Sequence, residues 1–262
     1  MRERLRRAPR HGGSPRARWT LALLATAAVW LAGLSLSGRW RLLRRLGLAY
    51  RRGQEHLHSP DPAYAAKLAA VRRARAEARR PGGQAVLVYL DEFTYYRRPP
   101  VGGCWGPAGG PGPPAEQGHG RNRKRRVIGA LDARTGRLTY WQGDKAGVAE
   151  LGRFYRRLAA AYPQAEAIYV AQDNWPVHFL PALQAELAGT PIRLLRLPTY
   201  APWTNPIEKV WRKLKQEVLT QHDFGDDWAG LRQAVEDWLA GAAPVDLLRY
   251  TGLRPRRKAM HR

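Results

Sequence analysis

The hydrophobic and polar positions of this chain change their period near residue 84. Upstream, apolar residues such as Leu24, Ala28 and Leu31 recur at helical spacing. Downstream, short continuous apolar runs of strand length alternate with helical stretches. The break itself is the helix-ending segment Pro81-Gly82-Gly83. The pattern therefore predicts an all-helical N-terminal region followed by an α/β domain.

Three helices are predicted before the break. The first spans Thr20–Ala32, the second opens near Ser37 and ends at Gly47, and the third spans Ala65–Arg80. Two short helices joined by a Gly-containing turn, the second rich in arginine, are typical of a helix-turn-helix. Two alternatives stay open, because the pair could simply pack together, or the uncharged stretch Trp19–Gly38 could span a membrane.

Beyond the break, strands and helices follow one another in a defined order. Ala85–Leu90 is predicted to be a central strand, and Arg125–Leu131 and Arg137–Gln142 to form a hairpin. Three antiparallel strands continued by βα units on one sheet predict a mixed, ribonuclease H-like α/β fold. The remaining predicted elements are the helix Val148–Ala161, the strand Ala167–Ala171, the helix Val177–Ala188, the strand Ile192–Leu197, and the helices Pro206–Thr220 and Asp227–Leu239.

The charge balance adds a class of partner to this picture. The 262 residues carry a formal net charge of +24, and residues 1–80 alone hold 19 Lys and Arg against four acidic residues. A basic surface of this density binds polyanions, most simply nucleic acid, although it could also be only a solvated face. The cations expected to contact DNA are Arg39, Arg41, Arg44 and Arg45 of the second helix, and Arg121, Arg123, Lys124 and Arg125 before the hairpin.

Three acidic residues follow predicted strands or open a predicted helix. Asp91 ends the first strand, Asp173 follows the strand Ala167–Ala171, and Glu208 lies in the first turn of the helix after the last strand. Sites in α/β sheets form outside strand ends, and carboxylate oxygens there suit Mg²⁺. Two such ions can activate a water or hydroxyl and stabilise the leaving oxygen of a phosphodiester. The pattern therefore points to phosphodiester chemistry.

Each acid also has a structural interpretation. Asp173 could cap the helix after its strand, and Glu208 lies at capping-box spacing from Asn205. Asp91 is harder to explain by packing, because a carboxylate at the end of an apolar strand must be exposed or paired. By strand alternation Glu92 should point to the opposite face, which makes Asp91 the preferred ligand.

Three sequence blocks around these acids resemble those of a known family. The blocks are Tyr89–Phe93, Gln172–His178 and Leu197–Trp211. They resemble the catalytic blocks of the DDE-superfamily endonucleases and, more narrowly, those of bacterial insertion-sequence transposases related to mariner elements. The 34 residues between Asp173 and Glu208 match the interval typical of that group.

The resemblance implies a metal-dependent DNA transposase. The three acids would form its catalytic triad and bind two Mg²⁺ ions, with Mn²⁺ as a possible substitute. Asn174 and His178 would orient the site or contact the DNA backbone, and Asn205 would set the helix that presents Glu208. The expected reaction is hydrolysis of DNA strands at element ends, followed by attack of the freed 3′-hydroxyl on target DNA, at TA by resemblance.

The same resemblance sets the expected partners and organisation. Double-stranded DNA at element ends and target site would be bound by a homodimer or higher oligomer, with no membrane involved. The single cysteine, Cys104, fits a bacterial cytoplasm, and the protein would be nucleoid-associated. The expected regions are a basic arm and helix-turn-helix over residues 1–53, a linker helix over 54–84, the catalytic domain over 85–222, and a C-terminal helix and basic tail over 223–262.

The N-terminal region departs from the family pattern. Related transposases carry two helix-turn-helix units ahead of the catalytic domain, whereas only about 84 residues precede the first strand here. The first unit is therefore expected to be absent or replaced by the arginine-rich residues 1–18. The alternative function is a catalytically inactive, truncated transposase remnant that only binds DNA.

Overall fold

The computed structural model describes residues 19–50, 59–103, 111–112 and 114–253. The chain divides into two units between residues 56 and 57. The predicted basic arm, the single cysteine and the basic tail lie outside the described residues. Within the first unit, α1 spans Leu21–Ala27, a short 3-10 helix spans Val29–Leu31, and α2 spans Leu36–Arg45.

The first unit is a helix pair joined by a tight turn. The predicted helix Thr20–Ala32 was too long, since α1 ends where Ala28 adopts an extended backbone with φ −133° and ψ 91°. The Ser35 side chain caps α2 by accepting a hydrogen bond from Gly38 N, and Gly47 ends it with φ 71°. Among the described residues, no helix is long and apolar enough to cross a membrane.

The second unit contains one five-stranded mixed sheet. Its strand order is β3-β2-β1-β4-β5, with β1, β2 and β3 antiparallel and β4 and β5 parallel to β1. This confirms the predicted arrangement of three antiparallel strands continued by βα units. The elements are α3 Tyr64–Glu77, β1 Ala85–Tyr96, β2 Lys124–Asp132, β3 Leu138–Gly143, α4 Val148–Ala160, β4 Ala167–Gln172, α5 Pro181–Leu187, β5 Ile192–Arg196, α6 Ile207–Leu214, α7 Trp228–Gly241 and α8 Pro244–Thr251.

Strand alternation along β1 divides the core into two layers. Leu87 and Tyr89 belong to the layer formed with α3, α6, α7 and α8. Val88 and Leu90 belong to the opposite layer, formed with α4 and α5. The predicted linker helix and the C-terminal helices therefore share a core with the sheet of the predicted catalytic domain. The four predicted region boundaries stay predictions.

Several predicted elements differ from those of the structure, each for a local reason. The helix Val177–Ala188 is a 3-10 helix followed by α5, since the backbone is extended at Leu180 before Pro181. The helix Pro206–Thr220 is α6 followed by a π-helical turn, in which Thr220 N donates to Lys215 O. Helix α8 was not predicted at all.

Candidate active site

Asp91 lies inside β1, and its predicted position at the end of the strand was wrong. Parallel pairing of β1 with β4 ends at Tyr89 and Ala171, but antiparallel pairing with β2 continues to Tyr96 and Lys124. Asp91 therefore lies where β1 loses β4 as a neighbour and continues beside β2 and β3 alone. The opening beside the strand leaves room for other groups to approach its carboxylate.

Helix α6 supplies two of the groups near Asp91. Trp211 Nε1 donates a 3.0 Å hydrogen bond to Asp91 Oδ2. The Trp211 ring stacks on Phe93, with 5.6 Å between the ring centroids. Gly129, opposite Asp91 on β2, makes room for this ring, since a Cβ there would lie 2.5 Å from it. The Trp211 side chain is otherwise buried in the core.

Glu208 lies in the first turn of α6 and is half-buried. Burial raises its pKa, the negative charge of Asp173 raises it further, and Arg212 and Lys215 partly offset both effects. The capping-box interpretation of this acid fails, because α6 has no side-chain cap and Asn205 Oδ1 accepts no hydrogen bond from the described residues. Glu208 is therefore available for a role at the site.

Asp173 comes directly after β4 and keeps 59% of its side chain exposed. Its Oδ1 accepts a 2.9 Å hydrogen bond from Trp175 N, so it holds the turn that follows the strand. The predicted helix cap is wrong, because the 3-10 helix that follows has no side-chain cap, and Asp173 holds only the turn before it. Among the described residues, its Oδ2 accepts no hydrogen bond.

The electrostatics join the predicted acids into one cluster. Burial and then the negative charges of Glu208, Glu92 and Asp173 raise the pKa of Asp91 to about 8. The charges of the other two predicted acids, and of Glu92, therefore all reach Asp91. Such a cluster is stable with every acid ionised only if a cation joins it.

The two predicted asparagines connect the segments that carry these acids. Asn174 Nδ2 donates to Leu197 O at 2.7 Å and to Thr199 Oγ1 at 3.2 Å, which ties the end of β4 to the loop before α6. Asn205 Nδ2 donates to Leu90 O at 3.0 Å, which ties the start of α6 to β1 beside Asp91. Both side chains thus fix the relative positions of strand ends.

Glu92 is the acid that sequence reasoning set aside. As predicted from strand alternation, it faces the layer opposite to that of Asp91, together with Val88 and Leu90. There its Oε1 lies 3.5 Å from Nε2 of the fully buried His178, which itself lies 3.6 Å from Asp173 Oδ1. The signal in the sequence was the adjacent acid pair on β1, together with a histidine five residues after Asp173.

The predicted DNA-contacting cations have different surroundings. Arg39 donates to Leu31 O and Ala32 O at 2.9 Å each, so its guanidinium stabilises the turn between α1 and α2. Arg125 pairs with Asp144 at 2.9 Å. Arg44 lies over the exposed Trp40 ring, 5.5 Å from its centroid. The exposed members of the set are Arg41, Arg44, Arg45, Arg121, Arg123 and Lys124.

Comparison with known protein families identifies the family of this chain. The family model described as DDE superfamily endonuclease matches residues 86–228, more than half of the chain. The chain belongs to this family. The matched range contains all of the acids described above and the strands that carry them.

This DDE-superfamily chain is similar to a curated protein and to several solved structures. A curated relative is the insertion element IS630 uncharacterized 39 kDa protein of Shigella sonnei, 28% identical over 242 residues that cover 89% of this chain and 67% of that protein. A solved relative is the mariner Mos1 paired end complex with Mg, with 17% identity, a TM-score of 0.65, and coverage of 92% of this chain and 77% of that one. The resemblance to insertion-sequence transposases is thus confirmed at the level of the family.

The fold of the DDE chain is also that of its solved relatives. The catalytic domain of Mos1 mariner transposase aligns with a TM-score of 0.53 at 13% identity, over 78% of this chain and 91% of that one. The mixed five-stranded sheet confirms the predicted ribonuclease H-like α/β class, with a helical region ahead of it.

Proposed function

We propose that this DDE-superfamily protein is a transposase that cleaves DNA strands at the ends of an insertion element and joins them to target DNA. The observation that carries the proposal is the grouping of Glu208, Glu92 and Asp173 around the buried Asp91, within the range that matches the DDE superfamily endonuclease model. Neighbouring acids that repel one another destabilise a fold, but such groups are typical of enzymes that bind metal ions. Asp91, Asp173 and Glu208 are the proposed catalytic residues.

The oxygen donors of the three proposed acids suit a divalent cation. Mg²⁺ takes oxygen ligands and keeps open positions for water and phosphate, and the cluster offers carboxylates alone on the face of Asp91. Asn174 Oδ1 and Asn205 Oδ1 are buried acceptors without a partner among the described residues. We propose that the three acids hold two Mg²⁺ ions, or Mn²⁺ in their place. The ions would supply Lewis-acid activation of the attacking oxygen and charge neutralisation at the phosphate.

The chain's own groups position this chemistry. The Trp211 N–H holds one oxygen of Asp91 and favours its charged form. Asn174 and Asn205 fix the strand ends, so the acids keep their separations when DNA binds. His178 lies behind Asp173 and limits where that carboxylate can move.

The DNA partner is proposed from charge and from position. Tyr96, which pairs with Lys124, lies five positions after Asp91 along β1, so the basic segment begins roughly 17 Å from Asp91. Arg121, Arg123 and Lys124 are exposed there and can contact the phosphate backbone beside a bound scissile bond. Related Mos1 structures are paired-end complexes with a transposon end. We therefore propose that a homodimer or higher oligomer of this chain binds two element ends.

Cleavage of a labelled duplex that carries the native element ends tests the proposal. Purified protein should cut the duplex with Mg²⁺ or Mn²⁺ and should not cut it with EDTA. Asp173→Ala should abolish cutting while duplex binding persists. Asp246→Asn, which removes an exposed acid on α8 outside the cluster, serves as the matched control and should cut normally. Binding without cutting by the wild-type chain would instead favour a remnant that only binds DNA.

A further inference from the structure

We infer that Glu92, Asp173 and His178 form a separate site for a divalent transition metal, of which Zn²⁺ is the type. One oxygen from each acid and one ring nitrogen of the histidine all lie within 4.8 Å of one another. The site lies on the face of β1 opposite to Asp91, and Asp173 is the one residue that it shares with the three proposed catalytic acids. The inference goes beyond the proposed function, because it does not require that the protein cut DNA.

The separations are those of metal ligands rather than those of hydrogen-bond partners. His178 Nε2 lies 3.5 Å from Glu92 Oε1 and 3.6 Å from Asp173 Oδ1. Good N–H···O hydrogen bonds are shorter, at about 2.7–3.2 Å. Two ligands of a tetrahedral ion with bonds of about 2.0–2.1 Å lie roughly 3.4 Å apart. A metal ion therefore fits between these atoms with little movement.

Two of the three donor atoms are buried and lack a partner. The His178 side chain is fully buried, and its Nε2 makes no hydrogen bond to the described residues. Glu92 Oε1 is likewise buried without a partner there. Most buried polar atoms in native proteins make a hydrogen bond, so two neighbouring buried atoms that make none indicate a ligand between them. An ion between them would satisfy both.

The surroundings fix the histidine in a ligating orientation. Tyr155 OH lies 3.4 Å from His178 Nδ1 and donates to Gln172 Oε1 at 2.6 Å. Gln184 Nε2 donates to the His178 carbonyl at 2.9 Å, which holds the backbone. The Trp175 ring meets the imidazole edge-on at 5.4 Å. Metal-binding histidines characteristically have their second nitrogen and ring plane held in this way.

The donor set determines which ions should bind. An imidazole nitrogen suits Zn²⁺ and related transition metals, whereas Mg²⁺ prefers oxygen ligands alone. Asp173 supplies the third, solvent-exposed ligand, since 59% of its side chain is exposed, and a fourth position is open to water. Mg²⁺ and Zn²⁺ should therefore bind on opposite faces of the sheet, with Asp173 between them.

Calorimetric titration of the full-length, metal-free protein with Zn²⁺ tests the site. Wild type should bind one tight equivalent, and Glu92→Gln and His178→Gln should each weaken that binding at least tenfold. His222→Gln is the matched control, because His222 is also buried with an unpartnered Nε2 but belongs to no such trio among the described residues. Glu208→Gln should keep the tight Zn²⁺ site whether or not it cuts DNA.

The outcomes separate this inference from the proposed function. Unchanged Zn²⁺ affinity in Glu92→Gln and His178→Gln, or no tight site in wild type, would overturn the metal site and leave the cleavage assay unaffected. Tight Zn²⁺ binding with no cleavage would retain the site and reject the transposase. Thermal melting without metal checks folding, and Glu92→Gln decides alone if His178→Gln does not fold. The Co²⁺-substituted protein gives a second readout, since the visible absorption of the His-ligated ion should be lost in both variants.

Discussion

Trp211 Nε1 donates its hydrogen bond to Asp91 Oδ2 across 3.0 Å, from the second turn of α6 to the middle of β1. The bond joins the element that carries Glu208 to the strand that carries the first proposed catalytic acid. It also favours the charged form of a carboxyl whose burial and neighbours disfavour it. Trp211 thus acts on the position of Asp91 and on its charge.

Trp211→Phe should keep the ring on Phe93 and remove only the N–H donor. Hydrogen bonds to charged groups are worth about 1.5–3 kcal/mol, so metal-dependent cutting should fall by about tenfold to hundredfold at saturating DNA. Trp238→Phe is the matched control, because it removes a similar bond to the exposed Glu217. Equal cutting by the two variants would show that the bond to Asp91 has no role.

Without metal, Asp91 should make the stability of the protein depend on pH. Its pKa rises in the fold to about 8, because of burial and the charges of neighbouring acids. The bound proton therefore stabilises the fold fully below the unfolded pKa near 4, and this contribution is lost as pH rises through about 8. The urea midpoint in EDTA should fall between pH 5 and 9, and Asp91→Asn should flatten that fall. A variant as pH-dependent as wild type would contradict the assigned cause.

Asp61 should stabilise the loop that precedes α6. Its Oδ2 accepts bonds from Lys67 Nζ at 2.6 Å and from Thr199 N at 2.8 Å, and these hold the pKa of Asp61 well below its usual range. A lowered pKa gives stability that is present above the unfolded value near 4 and is lost as pH falls below it. Asp61→Asn should lower the melting temperature at pH 7 by a few degrees, and the difference should shrink toward pH 2. Asp246→Asn, which removes only an exposed ion pair, should change the melting temperature little.

The exposed arginines of α2 should bind DNA phosphates. Arg44→Ala with Arg45→Ala should weaken duplex binding and lower the slope of log affinity against log salt by about one to two. Arg39→Ala should instead lower the melting temperature of the helix pair, because its guanidinium bonds Leu31 O and Ala32 O. An unchanged salt slope in the double variant would reject the helix-turn-helix contact.

The order of the sheet could be predicted because each strand is a compact apolar run. The end of β1 could not, since Glu92 and Asp91 interrupt the apolar pattern while pairing with β2 carries the strand on to Tyr96. Helix α8 had the right local signals, with Pro244 in its first turn and Gly252 at φ 81° after its end. Those signals lay in a segment treated as a tail.

The site was predictable in its acids but not in its supporting contacts. Asp91, Asp173 and Glu208 follow from strand ends and the family blocks, because those patterns are local in sequence. The Trp211 bond to Asp91 joins residues 120 positions apart, and the packing that creates it depends on the missing side chain at Gly129. Glu92 was set aside because strand alternation predicts only the face of β1 on which its side chain lies. Alternation cannot show that a buried histidine lies on that face.

Replacement of a proposed metal ligand by a softer one tests the central claim most directly. Asp91→Cys should cut the end-bearing duplex poorly with Mg²⁺ and recover at least tenfold with Mn²⁺, because thiolates favour softer ions. Asp91→Ala should fail with both ions, and wild type should cut with both. Recovery of Asp91→Ala by Mn²⁺ to the level of Asp91→Cys, or normal cutting by Asp91→Cys with Mg²⁺, would contradict direct coordination by Asp91.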